Sequence, residues 1–101
     1  METDTLYQDF CEAQKQHINA YQQFVDNDVM YRSVHSKLDR AIRSDHTSRE
    51  ASLRLQFNSI SHVREVSAKV AKQKLNLMYK LRNQLWEQEA WAAMEAFSNT
   101  D

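Results

Sequence analysis

The 101-residue sequence contains neither glycine nor proline. At average usage a chain of this length would carry about a dozen of the two. Glycine supplies the positive φ that tight turns need, and proline presets turn geometry. Hairpin sheets and βαβ units depend on many such turns. A chain with neither residue turns rarely, so it is built from a few long helices. The predicted class is all-α, with residues 1–101 forming a single helical domain.

Hydrophobic residues make up 42% of the chain and charged residues 27%. That is enough apolar material for a thin seam between helices rather than a thick core. Ala, Glu, Lys, Leu and Arg together number 38. This falls short of the roughly half expected of an idealised coiled coil, which predicts an irregular seam. No apolar run approaches the ~18 residues of a membrane span. The opening Met1-Glu2-Thr3-Asp4 is acidic and polar, unlike a secretory signal. Cys11 is the single cysteine, so no intrachain disulfide is expected. These features predict a soluble, cytoplasmic protein with no membrane association, and an inert, partly buried Cys11.

Periodicity supplies the architecture. Thr5 and Gln8 read as a capping box that opens a first helix. Phe10, His17, Phe24, Tyr31 and Leu38 then recur every seven residues. Ala13, Ala20, Asn27, Val34 and Ala41 form a second row three residues on, and Tyr21, His35 and Ile42 flank it. Large residues beside small ones suit interdigitation with a facing helix. Asp26-Asn27-Asp28 looks like a breaker, but the heptad phase is the same on both sides. The reading is therefore one helix over about 5–44. Ser44–Thr47 is the turn, and Thr47 with Glu50 reads as a second capping box. A second helix follows over about 48–97, with a stripe at Leu53, Ile60, Val63, Val66, Val70, Leu77, Leu81 and Leu85. This is a long, coiled-coil-like antiparallel hairpin. Interruptions at Asn27-Asp28 or across Asn58–Ser61 define the alternative, a three- or four-helix bundle.

Charge agrees with a hairpin. Residues 1–31 carry net −5, residues 32–82 net +8 and residues 83–101 net −4. Folding the chain at residue 46 sets Asp26 and Asp28 near Arg64, and Asp9 and Glu12 near Lys80 and Arg82. Exposed pairs of this kind are each worth ~0–1 kcal/mol. Their larger effect is to select the antiparallel register.

The chemistry of an enzyme is hard to place on this chain. Phosphate-cradling loops need glycine for close backbone approach. One cysteine excludes a zinc site of paired CxxC type. There is no HExxH, and Gln14, Arg32, Arg43 and Ser59 stand three residues before the four histidines, so no Glu-x-x-His metal pair exists. His17 and His35 lie five helical turns apart, about 27 Å at 1.5 Å per residue, too far to share a ligand. Ser44, Asp45 and His46 are adjacent and cannot converge as a triad. His35-Ser36-Lys37 lacks the glycine of phosphotransfer histidines. The first 31 residues hold only Lys15 as a cation, too few for a dicarboxylate clamp of the chorismate-mutase kind. The expectation is a non-enzymatic chain with no cofactor and no metal.

Two regions could carry binding. Leu85–Phe97 holds both tryptophans, and its apolar residues do not form one stripe. Trp86, Ala90, Ala93 and Phe97 lie on one side, and Trp91 and Met94 on another. A helix apolar on more than one side calls for more than one partner. Trp86, Trp91, Met94 and Phe97 are therefore the candidate partner-binding residues. The turn offers a basic tip at Arg40, Arg43, Arg49 and Arg54. With a sequence pI near 6.4 and no aromatic interleaved there, nucleic acid is not the expected partner. The favoured function is a protein-interaction module: an adaptor, assembly factor or small chaperone-like regulator, meeting a protein partner or forming a homodimer. The alternative is a regulator that binds nucleic acid or its polymerase through the basic tip.

Overall fold

The computed structural model describes residues 2–98. They form two helices, α1 (Glu2–Arg43) and α2 (Thr47–Ser98), packed as an antiparallel hairpin. Neither expected interruption occurs: α1 runs through Asn27-Asp28 and α2 through Asn58–Ser61. The bundle of three or four helices is not formed within the chain. No helix among the described residues is long and apolar enough to cross a membrane. α1 begins before its expected cap, so Thr5 lies inside the helix rather than at its start.

The turn shows how a chain without glycine reverses direction. Asp45 takes φ 56°, the left-handed region. His46 N–H donates to Ala41 C=O at 3.1 Å, and Asp45 N–H to Ile42 C=O at 3.3 Å. This is the Schellman closure, with aspartate where glycine usually stands. The Ser44 hydroxyl adds a bond to the Arg40 carbonyl at 2.6 Å. A β-carbon in this region costs energy that glycine avoids. Asp45→Gly is therefore expected to raise stability by about 0.5–1 kcal/mol. A lower urea midpoint for this variant would show that the aspartate side chain itself holds the turn.

The second expected capping box is displaced. Glu50 N–H donates to the His46 carbonyl at 2.8 Å, so His46 rather than Thr47 precedes the first helical residue. Glu50 turns away from the helix start and accepts both Arg54 Nε (3.1 Å) and Arg54 Nη2 (2.8 Å). Both guanidinium N–H groups donate to the one oxygen, Glu50 Oε1, and charge-assisted bonds of this kind are stronger than a bond from a neutral backbone N–H.

Two compact units divide the chain: Asn19–Ala71, and Met1–Ile18 with Lys72–Asp101. In Asn19–Ala71, Leu38, Ala41 and Leu53 form the buried cluster, with Phe57 packed against it. Tyr31 lies 5.2 Å from the Phe57 ring, and His35 5.8 Å from it. Arg64 Nε donates to Asp28 Oδ1 at 2.7 Å, while its guanidinium lies over Tyr31 (4.7 Å) and Phe24 (5.6 Å). The register expected from folding at residue 46 is met here. In the other unit, Lys74 Nζ donates to Gln16 Oε1 at 3.1 Å, and Ala13 and Leu85 are buried. Among the described residues, Arg82 pairs with no acidic residue of α1. Its guanidinium stacks on Tyr79 at 4.6 Å and on Trp86 at 4.5 Å.

The two heptad rows of α1 do face α2. The small row is the better buried, at Ala13, Ala20 and Ala41, while Phe10, Phe24 and Tyr31 are half-buried. Phe24 is therefore not enclosed between the helices. Two helices cover a large side chain on one side and leave its flanks to water. A small side chain disappears under its neighbours.

The stripe expected on α2 needs correction. Leu53, Ile60, Leu81 and Leu85 turn inward, but Val63, Val66, Val70 and Leu77 are exposed. Their seam places are held by Arg64, Ser67, Ala71, Lys74 and Met78. The long stems of Arg64 and Lys74 lie along the seam while their charged ends reach Asp28 and Gln16. Hydropathy passes over such residues, and so it assigns the valines to the wrong face.

Candidate functional site

The C-terminal segment of α2 is helical because Ala, Glu and Gln dominate it, all good helix formers. Leu85 is the last buried residue, and Gln88 the last half-buried one, among the described residues. Every residue from 89 to 98 is exposed. Helicity thus continues for nearly three turns past the seam. Over that stretch Trp91 is 64% exposed, Met94 60% and Phe97 83%. Trp86, the fourth residue expected here, also turns away from the seam, one step round from Leu85, and one of its faces is covered by Arg82.

Trp91 and Met94 keep a phase shared with residues far upstream. Val63, Val70, Leu77 and Trp91 fall on one seven-residue row, and Val66 and Met94 on a second. These are the valines displaced from the seam. α2 thus carries a mixed polar heptad pattern that meets α1, and beside it exposed apolar residues in two blocks, Val63–Leu77 and Trp91–Met94, parted by Lys80, Gln84 and Glu87 on the same rows. Hydropathy alone merges seam and exposed residues into one stripe.

Each unit has an open groove beside its seam. In Asn19–Ala71 the groove is about 370 Å³, lined by Ala20, Gln23 and Asn27 of α1 and by His62, Val63, Val66, Ser67 and Val70 of α2. In the other unit a groove of about 310 Å³ runs between Asp9, Glu12, Ala13 and Gln16 of α1 and Leu77 and Leu81 of α2.

The basic tip is less free than its composition suggests. Arg43 pairs with Asp39 at 3.0 Å and Arg54 with Glu50 at 2.8 Å, each within its own helix. Arg40 Nε is turned to the Ser36 carbonyl at 3.4 Å. Arg40 and Arg49 do share a small depression with Lys37, Ala41, Ser44 and His46. Lys37, also expected around the turn, is brought beside Arg49 by the closing of the turn, and His46 is a sequence neighbour of Arg49.

His35 sits in an aromatic stack with Tyr31 and Phe57, not opposite another ligand residue. Among the described residues no three of His, Cys, Asp and Glu converge as metal ligands do. What these surfaces offer chemically is apolar and aromatic contact with a polar rim. The class defined by the fold is a two-helix hairpin whose second helix leaves apolar side chains exposed, among them Val63, Val66, Leu77, Trp91, Met94 and Phe97. Compared with known protein families, characterised proteins and solved structures, the chain matches none.

Proposed function

We propose that the chain is a non-enzymatic protein-interaction module, an adaptor, assembly factor or chaperone-like regulator, that captures a partner protein with the exposed end of α2. One observation carries this reading: Trp91 and Met94 are presented on regular helix beyond the last seam residue. Tryptophan and methionine are enriched at interfaces, and a few such anchors dominate binding energy. A helix laid against an apolar groove is a common recognition mode, read through anchors spaced at three, four and seven residues. The intrahelical pairing of Arg43 and Arg54 supports this reading over an electrostatic one at the tip.

The test is site-specific photocrosslinking in the producing cell, with a benzophenone side chain at position 94 and a control at exposed Asn76. A discrete heterologous adduct from position 94 and none from position 76 is the expected result. Equal labelling at both positions would sink the proposal. Nonspecific duplex DNA should not bind at low salt. A steeply salt-dependent affinity would transfer the function to the basic tip.

A further inference from the structure

The closing of the turn gathers cations that the partner reading does not use. The depression they line is about 200 Å³ and lies wholly within Asn19–Ala71. Lys37 and Arg40 reach it from α1, His46 from the turn and Arg49 from α2. We infer that this is an anion site, in which Lys37, Arg40 and Arg49 bind one phosphate dianion, free or as the end group of a small phosphate monoester.

The first argument is pairing. The arginines around the turn fall into two groups. Arg43 and Arg54 are engaged by Asp39 and Glu50 of their own helices, at 3.0 and 2.8 Å. Arg40 uses only its Nε, on the Ser36 carbonyl at 3.4 Å, and its two terminal nitrogens have no acceptor among the described residues. The side chains of Lys37, His46 and Arg49 make no hydrogen bond or ion pair there either. No acidic residue lines the depression. Lys37 and Arg40 stand about one turn apart on α1, and the reversal of the chain sets Arg49 against them. Like charges brought together without a counter-charge repel, and a bound anion reverses the sign of that contribution.

The helix ends do not supply the attraction. The end of α1 and the start of α2 meet at the turn, so their opposite dipoles offset one another. The side chains therefore set the sign of the field.

The second argument is the match to the ligand. The depression is smaller than the ~300–1,000 Å³ of sites that enclose drug-sized molecules, so it suits a single charged group. Guanidinium forks fit the oxygens of phosphate two at a time, and lysine adds a point charge. Three cations suit a phosphate monoester, which carries about −1.5 to −2 at neutral pH, better than a carboxylate with its single charge. A nucleic acid is a line of single charges and is met by a track of cations. Arg43 and Arg54, which would extend the cluster into such a track, are held by acids.

The test is titration of the isotope-labelled full chain with sodium phosphate, followed by amide chemical shifts, with chloride adjusted to hold ionic strength constant. Saturable shifts confined to residues 37–49 are expected, with half-saturation at about 1 mM. Lys37→Gln/Arg49→Gln removes two charge-assisted bonds and should weaken binding about a hundredfold. Lys72→Gln/Lys80→Gln removes the same charge from exposed positions outside the depression and should change the affinity less than about twofold. Circular dichroism checks that each variant keeps its helicity, as exchanges for glutamine on exposed helix should. Phosphate should also raise the melting temperature of the wild type and leave that of Lys37→Gln/Arg49→Gln unmoved. Phenyl phosphate should bind as well, and whichever of the two binds more tightly tells whether the ion itself or an ester end group is held. Dimethyl phosphate, with one charge, should bind at least about tenfold more weakly. Shifts that never saturate, or that chloride alone reproduces, would overturn the inference. So would a Lys37→Gln/Arg49→Gln variant that binds like the wild type. Equal binding of dimethyl phosphate would overturn it in favour of phosphodiesters. The photocrosslinking at position 94, at the other end of α2, is decided separately from every one of these results.

Discussion

Replacing Leu53 with alanine is expected to destabilise the fold by about 3 kcal/mol, within the ~2–5 kcal/mol typical of buried leucine truncation. Leu53 is 5% exposed and sits in the cluster with Leu38 and Ala41, against Phe57. Ala41 is already minimal, so it cannot fill the space that is opened. Leucine and alanine have similar helix propensity, so the loss reports packing rather than local helicity. Leu55 lies two residues along the same helix and is exposed. Leu55→Ala should change stability by less than about 0.5 kcal/mol. Urea denaturation followed by circular dichroism, at one fixed protein concentration, compares the two. Equal effects at both positions would mean that the hairpin seam lies elsewhere.

The second large effect is on binding. Trp91→Ala/Met94→Ala is expected to weaken partner capture by about thirtyfold or more, equivalent to ~2 kcal/mol for a buried anchor. Helicity should be unchanged, because both substitutions introduce the best helix former and neither residue belongs to the intrachain seam. The readouts are the yield of the adduct measured from a neighbouring crosslinker site, titration of the purified partner so identified, and the far-ultraviolet spectrum. If the double variant loses helicity while capture per folded molecule is unaffected, the two side chains are structural and the proposed function falls.

The two helices differ in how legible they are. On α1 the rows at Phe10–Leu38 and Ala13–Ala41 can be read straight through a polar tract that has the composition of a loop. The seven-residue phase persists across Asp26–Asp28, and the structure keeps the helix intact there because Asp28 has a cation to meet, Arg64. On α2 the same periodicity misleads. Its apolar residues include Val63, Val66, Val70 and Leu77, while Arg64, Ser67 and Lys74 hold the seam. A cation becomes a seam residue only when an acceptor stands opposite, and that acceptor belongs to another part of the chain.

The candidate site divides in the same way. That Trp91, Met94 and Phe97 lie past the reach of the first helix follows from counting residues on either side of the turn. The same count sets Trp86 within reach of Leu6, Tyr7 and Phe10. In the structure Leu85 takes the inward position and Trp86 stacks under Arg82. One residue's shift turns a side chain by about 100° round a helix, more than the width of the seam, so a count of residues alone cannot assign the face.

Class and turn are local or nearly local properties. The absence of glycine and proline, the heptad phase of α1 and the polar break at Ser44–Thr47 determine them without reference to any contact. Even the left-handed residue of the turn is narrowed to a few polar candidates once glycine is lacking, and Asp45 takes the place. The tertiary structure decided which face of α2 is inside. Apolar residues stand on two faces of that helix, and the structure buries Leu53 and Leu85 on one while Val63, Val66 and Leu77 on the other are exposed. The seam face is also the one that makes long-range polar pairs, Asp28 with Arg64 and Gln16 with Lys74. These bonds exist only after the chain has folded back on itself, with the polar face closing the hairpin and the valine face left to water.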